Sequence, residues 1–129
     1  MPVIPHLESI AAIAEQSKTV EQFSLALRDF LDGFYENPGP FKLSDEPTRV
    51  TEILHDENYA DAYLAALAEH LARQFGFSVP AWCQNPERVL KKPVFAFNSN
   101  EGRMFLLVES PTAFRSRNIF ISGDALIRV

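Results

Sequence analysis

A single cysteine in 129 residues removes two classes of small protein at once. Cys83 has no partner for an internal disulfide, and one thiolate cannot build a cysteine-rich zinc site. Glycine is scarce too, with five in the chain and none adjacent to another. Phosphate-binding loops and dinucleotide fingerprints need closely spaced glycines so that backbone amides can approach the ligand, and neither pattern occurs. Long apolar runs are missing. Met104 to Val108 is a run of five, whereas a membrane-spanning helix needs about 20 residues. No basic segment followed by an apolar stretch opens the chain, so no secretory leader and no membrane association are expected. Basic side chains are outnumbered, with 12 Lys and Arg against 17 Asp and Glu and a net charge of −5. That balance argues against direct nucleic-acid binding, because phosphate contacts come mainly from Lys and Arg. The length fits one domain. With 47% hydrophobic and 22% charged residues, the chain reads as an ordinary folded protein of the cytoplasm.

The charge is unevenly placed. Residues 1–64 carry four basic and twelve acidic side chains, giving −8, and residues 65–129 carry eight basic and five acidic ones, giving +3. Two readings follow. The halves attract each other within one fold, as mixed charge ordinarily does. Alternatively, the second half presents a basic face to a partner, centred on Arg115 and Arg117 with Lys91 and Lys92.

The periodicities are mostly helical. Leu7, Ile10, Ala11 and Ala14 recur at helical spacing and predict a helix over 5–16, with Pro5 in its first turn. The strongest signal covers 20–36. Thr19 and Gln22 fit a capping box, and Val20, Phe23, Leu27, Phe30, Leu31 and Phe34 form one apolar stripe. Only Ser17 and Lys18 separate these helices, which predicts a helical hairpin over 1–36. Asn37-Pro38-Gly39-Pro40 ends the second helix. Residues 37–57 then read as a loop-rich connection, pinned to the core by Phe41 and Leu43, with a short helix at 48–55. A long helix is predicted over 58–75, rich in alanine and capped by Gly76, and is assigned as the central element.

Proline then interrupts the chain at Pro80, Pro86 and Pro93. Asn85-Pro86-Glu87 predicts a short helix over 86–91, with Asn85 as cap. Val94 to Phe97 reads as extended. For 103–109 a buried helix and a buried strand both fit, with helix preferred. Ser110-Pro111 begins a short helix to Arg117, Ile119 to Ile121 is extended, and Ser122 caps a last turn over 123–128. The fold class is therefore mainly α: a single-domain helical bundle of short helices, with a minor extended element in the C-terminal third.

Candidate chemistry is thin. His55, Asp56, Glu57, Asp61 and His70 include metal-ligand types, which keeps a metal-dependent enzyme as one alternative. They lack the paired histidines and glutamate of a zincin helix, and no second cluster completes a site. Cys83 has neither a neighbouring base nor an electropositive motif and reads as a structural thiol. No serine stands in a nucleophile elbow. The helix over 20–36 carries one base, Arg28, among Glu21, Asp29, Asp32 and Glu36, so it makes a poor groove reader for a helix-turn-helix. No cofactor and no catalytic set are implied. Eleven phenylalanines, three tyrosines and one tryptophan would fill a core and leave some surface for association.

The second half also carries a resemblance. Ala62 to Ala72 is followed by Val79-Pro80-Ala81-Trp82, Leu107 to Pro111, Ala113-Phe114-Arg115, Arg117 to Ser122, Ala125-Leu126 and Arg128-Val129. This phrase order resembles an uncharacterised bacterial family, common in actinobacteria, associated with toxin–antitoxin loci. The resemblance spans about 60–129 and makes 58–129 the family-like helical region. Two positions depart from it: Cys83 stands where a small polar residue is expected, and Asn118 where glycine is common. Family members are encoded beside a nucleotidyltransferase-like partner or fused behind a helix-turn-helix domain. The resemblance implies a non-enzymatic, antitoxin-like protein that binds a partner encoded nearby, and it brings no catalytic residue. A transcription-regulator accessory or DNA-associated role is the alternative, and homo-oligomerisation stays open. Trp82, Phe114, Arg115, Arg117 and Phe120 are the candidate contact residues, since Trp and Arg dominate interface hot spots. Core packing is the competing role for Trp82 and Phe120.

Overall fold

The computed structural model describes residues 6–95 and 110–121. The described chain is mainly helical, with one short sheet. Helix α1 spans Ile10–Gln16. It begins later than the periodicity predicted because Ser9, not Pro5, defines its start: the Ser9 hydroxyl accepts from the Ala12 amide at 3.2 Å. Pro5 lies outside the described residues. Helix α2, Val20–Glu36, has the predicted bounds and the Thr19 cap. The second half of the capping box is displaced by one residue, since Gln22 Oε1 accepts from the Lys18 amide rather than from that of Thr19. Phe23, Ala26, Phe30, Leu31 and Phe34 are buried and pack toward the core, while Val20 at the end of the predicted stripe is exposed.

The loop after α2 is tied down differently from the expectation. Leu43 is buried as predicted, but Phe41 is 62% exposed. Its ring lies over Gly39, where a Cβ would come within 2.6 Å of it. The anchor beside Leu43 is Lys42, whose buried Nζ donates to the Asn37 carbonyl at 2.7 Å. Helix α3 is one turn, Thr51–Leu54, inside the predicted 48–55.

Helix α4, Tyr59–Phe75, is the centre of the fold. Of residues 60–72 all but His70 are buried. The alanines allow close approach on several sides. α4 packs on α3, on the 3₁₀ turns Ala81–Gln84 and Pro86–Arg88, and on α5, Thr112–Arg115. On the α2 side, Phe34 meets Phe75 edge-on at 5.3 Å and Phe23 meets Tyr63 at 6.3 Å. Gly76 stops the helix at φ 75°, a conformation costly for any residue with a side chain.

Helix 86–91 is reduced to the turn Pro86–Arg88, because Val89 is extended and Leu90 donates its amide to the Arg117 carbonyl at 3.2 Å. The chain continues into β1, Val94–Phe95, which runs parallel to β2, Ile119–Phe120, with Val94 opposite Ile119 and Phe95 opposite Phe120. The short helix predicted to reach Arg117 stops at Arg115. Ala96 and Phe97, the helix-or-strand question at 103–109, and the last turn after Ser122 lie outside the described residues. Among the described residues no helix is long and apolar enough to cross a membrane.

Candidate functional site

Between α3 and α4 the chain makes a turn that most sequences avoid. His55, Glu57 and Asn58 have φ of 52°, 55° and 75°, in the left-handed region, which costs a residue with a Cβ about 1–2 kcal/mol. Side chains compensate. Asp56 accepts from the Asn58 amide at 3.2 Å and the Ala60 amide at 2.8 Å, so it caps α4 from outside the helix. Asn58 donates Nδ2 to the Glu87 carbonyl at 2.6 Å and accepts from Arg49 Nη2 at 2.8 Å.

Asp61 lies beneath this turn with no exposed surface. It accepts from the Val50 amide at 2.8 Å, the Thr51 amide at 3.2 Å and Arg49 Nε at 2.8 Å. Arg49 reaches on to Glu87 at 2.6 Å. The hydrogen bond to Asp61 comes first among the causes that hold the Arg49 pKa up. One carboxylate thus folds 49–51 back onto α4, and one guanidinium ties that fold to 86–89.

A cleft of about 930 Å³ opens beside these segments, lined among others by Arg49, Asn58, Glu87, Val89, Lys91 and Lys92. A second cleft of about 520 Å³ adjoins it. Its walls are apolar: Val20, Phe23, Leu27, Leu54 and Tyr63. Asp56, Tyr59 and Val94 belong to both. Burial raises the phenol pKa of Tyr59 and of Tyr63, so both rings stay neutral. Arg49 and Asp56 are engaged by the fold. Lys91 and Lys92 are exposed and make no ion pair to another described residue. The arrangement offers a polar trough with two lysines on its lip, joined through Val94 to an apolar groove. That chemistry suits binding.

The residues singled out in the sequence do not form one face. Phe114 has no exposed surface and packs edge-on against Tyr63 at 5.0 Å. Arg117 is buried and donates to Glu69 at 2.9 Å, to the Cys83 carbonyl at 2.6 Å and to the Ala113 carbonyl at 2.7 Å. Its Nε is the one buried polar side-chain atom without a partner among the described residues. Phe120 is buried and stacks on Phe95 at 4.8 Å. Trp82 is half-buried, donates its indole N–H to the Leu43 carbonyl at 3.0 Å, and carries the Arg88 guanidinium 5.1 Å over its ring. Arg115 is exposed, with Nη2 bonded to Thr112 Oγ1 at 3.2 Å. In this fold Phe114, Arg117 and Phe120 are therefore interior residues: α5 turns Phe114 toward α4, β2 sets Phe120 against β1, and Arg117 reaches Glu69 of α4 from the turn between α5 and β2.

The other candidates are dispersed. His55 is exposed, Asp56 caps α4, Asp61 is buried, and His70 sits against Phe114 at 6.2 Å with its pKa lowered by burial. Among the described residues no three His, Cys, Asp or Glu side chains could hold a metal ion. Cys83 is buried, and burial pushes its thiol pKa up to about 12. No local pattern signals the Arg49–Asp61–Asn58 network. Asp61 reads as an ordinary first-turn acid, and its three donors all come from residues 49–51. Lys91 and Lys92 were visible as basic charge, but their place beside a cleft depends on Val89 being extended. No protein-family model matches the chain, and no curated protein or solved structure matches it.

Proposed function

We propose that this chain acts by stoichiometric binding of a protein partner in the cytosol, as the antitoxin-like member of a toxin–antitoxin pair, and occludes the partner's working surface. Two things support the reading. The order of phrases over 60–129 resembles the family found at such loci. The observation that carries it structurally is the lip of Val89, Lys91, Lys92 and Val94, where two exposed valines and two lysines without a described ion pair border adjoining clefts. Apolar surface flanked by charge is how a protein contact gains both burial and orientation. Arg115 adds a third exposed cation near the turn that holds Leu90: Asn118 Nδ2 donates to the Leu90 carbonyl at 2.6 Å.

The test is growth of a host expressing this chain, the adjacent gene, or both. The expected result is toxicity from the neighbour that this chain relieves. In the Lys91→Glu/Lys92→Glu double variant the fold stays intact by circular dichroism, and the complex weakens by about tenfold or more. Absence of toxicity in every combination, or full relief by the charge-reversed variant, overturns the proposal.

A further inference from the structure

We infer that residues 6–9 are a proton-controlled latch on α2, tightened by the His6 imidazolium and loosened when the ring loses its charge. The geometry around His6 suits a cation. Nδ1 stands 2.8 Å from Asp29 Oδ1, and Nε2 stands 3.6 Å from Glu36 Oε2. A neutral imidazole has one N–H and one lone pair. In either tautomer it would turn a lone pair toward one of the two carboxylates. Only the doubly protonated ring faces both with a donor.

The ring proton is coupled to the backbone through Asp29. Its second oxygen, Oδ2, accepts from the Leu7 amide at 2.8 Å, so one carboxylate holds both the ring and the chain of the latch. Leu7 packs half-buried against the core cluster. The seat is Gly33 on α2: a Cβ there would come within 2.5 Å of the His6 Cβ. Among the described residues the charged groups facing His6 are Asp29, Asp32 and Glu36, all acidic and all on α2. They agree with the geometry. The hydrogen bond to Asp29 raises the His6 pKa above its ordinary 6.5, against a smaller opposing effect of burial, and the charges of Asp29, Glu36 and Asp32 add to the rise. The sign follows by linkage. A raised pKa means the latch is fully closed below 6.5 and loosens as pH climbs through the higher folded value. Release frees Leu7 from the core edge and uncovers the Gly33 stretch of α2. No catalytic or partner-binding role of the clefts is needed for this.

The experiment is NMR on the full chain between pH 5 and 9, following the His6 ring protons and exchange of the Leu7 amide. The ring should titrate with a midpoint above 6.5. Leu7 protection, corrected for intrinsic exchange, should fall across that midpoint by about tenfold for each pH unit separating it from 6.5. Asp29→Asn should bring the ring midpoint back toward 6.5. His6→Gln, at the molecular edge, should leave Leu7 protection independent of pH. A ring midpoint at or below 6.5 in the unaltered chain overturns the latch. So does Leu7 protection that falls with pH in His6→Gln as it does with histidine present.

Discussion

The buried anchors of α2 are Phe23, Phe30, Leu31 and Phe34, whereas the anchors of the irregular segments on the far side of α4 include Arg88, Asp61, Arg117 and Glu69. α4 serves both. Toward α2 it offers rings and aliphatic side chains, and toward residues 43–51, 81–90 and 112–121 it adds two carboxylates and a backbone carbonyl to apolar contacts such as that of Tyr63 with Phe114. A regular helix satisfies its own amides and needs only an apolar neighbour. Short turns leave backbone groups unpaired, and buried arginines collect them. Arg88 is the clearest case. It has no exposed surface, donates to the Asp61 carbonyl at 3.0 Å and to the Pro47 carbonyl, and pairs with Glu46 at 3.1 Å. Its ion pair with Glu46 and that of Arg49 with Glu87 join the acidic half of the chain to the basic half.

The sharpest way to break this contrast is Arg88→Met, which keeps an unbranched stem and removes every donor. Two buried carbonyls lose their partner, and unmet buried groups or a broken buried pair cost about 3–5 kcal/mol in all. Leu67→Ala on α4, fully buried at 0% exposure, should cost a similar 2–5 kcal/mol or so through lost burial and a cavity. Urea unfolding of both variants decides the matter. A loss of less than about 1 kcal/mol for Arg88→Met would mean that apolar packing holds the irregular side as well.

Arg117→Met is expected to come second. Glu69 keeps Arg73 at 3.0 Å and Gln84 at 3.4 Å, so its charge is not stranded. A loss of about 2–3 kcal/mol is expected, mainly from the Cys83 and Ala113 carbonyls. The variant carries a second signature. Burial pushes the Glu69 pKa up, but Arg117 and then Arg73 pull it further down, so the net shift is below its ordinary 4.5. Stability from a lowered carboxylate is present above 4.5 and disappears as pH falls through the folded value. In Arg117→Met that acid-side loss should shrink, measured as the midpoint of urea unfolding between pH 2.5 and 6.

The same division explains what the sequence discloses. α2 was legible to its end residues, because periodicity, cap and stop signal all lie within 19–40 of the chain itself. So was the core of α4. Phe41 departs from its hydrophobic expectation because its ring lies over Gly39 two residues away, a contact that hydrophobicity does not encode. The cleft was not legible. It depends on left-handed His55, Glu57 and Asn58, none a glycine, which are held by Asp56, Arg49 and the Glu87 carbonyl. Arginine is ordinarily a surface residue, so nothing local marks Arg117 as buried. Its buried partner Glu69 lies 48 residues earlier, on the far face of a helix. Asn118 shows a local cue that was present: at φ 65° it occupies a conformation suited to glycine, and its side chain reaches the Leu90 carbonyl.

The smallest effect should come from the cap that sequence identified most readily. Thr19 Oγ1 accepts from the Gln22 amide at 3.1 Å, and both residues are exposed. Thr19→Ala leaves that amide to water, and the usual cost of such a change is about 1 kcal/mol. Water can replace the hydroxyl here, unlike at Arg88, where the two carbonyls are sealed. The aromatic contacts of α2 also persist when its first turn frays. The loss should therefore appear as faster exchange of the amides of residues 20–22, with the urea midpoint moving little. If Thr19→Ala instead destabilised the whole chain as much as Arg88→Met, α2 would depend on its end rather than on its buried face. The contrast between an apolar side and a polar side would then give way to one in which local signals govern both.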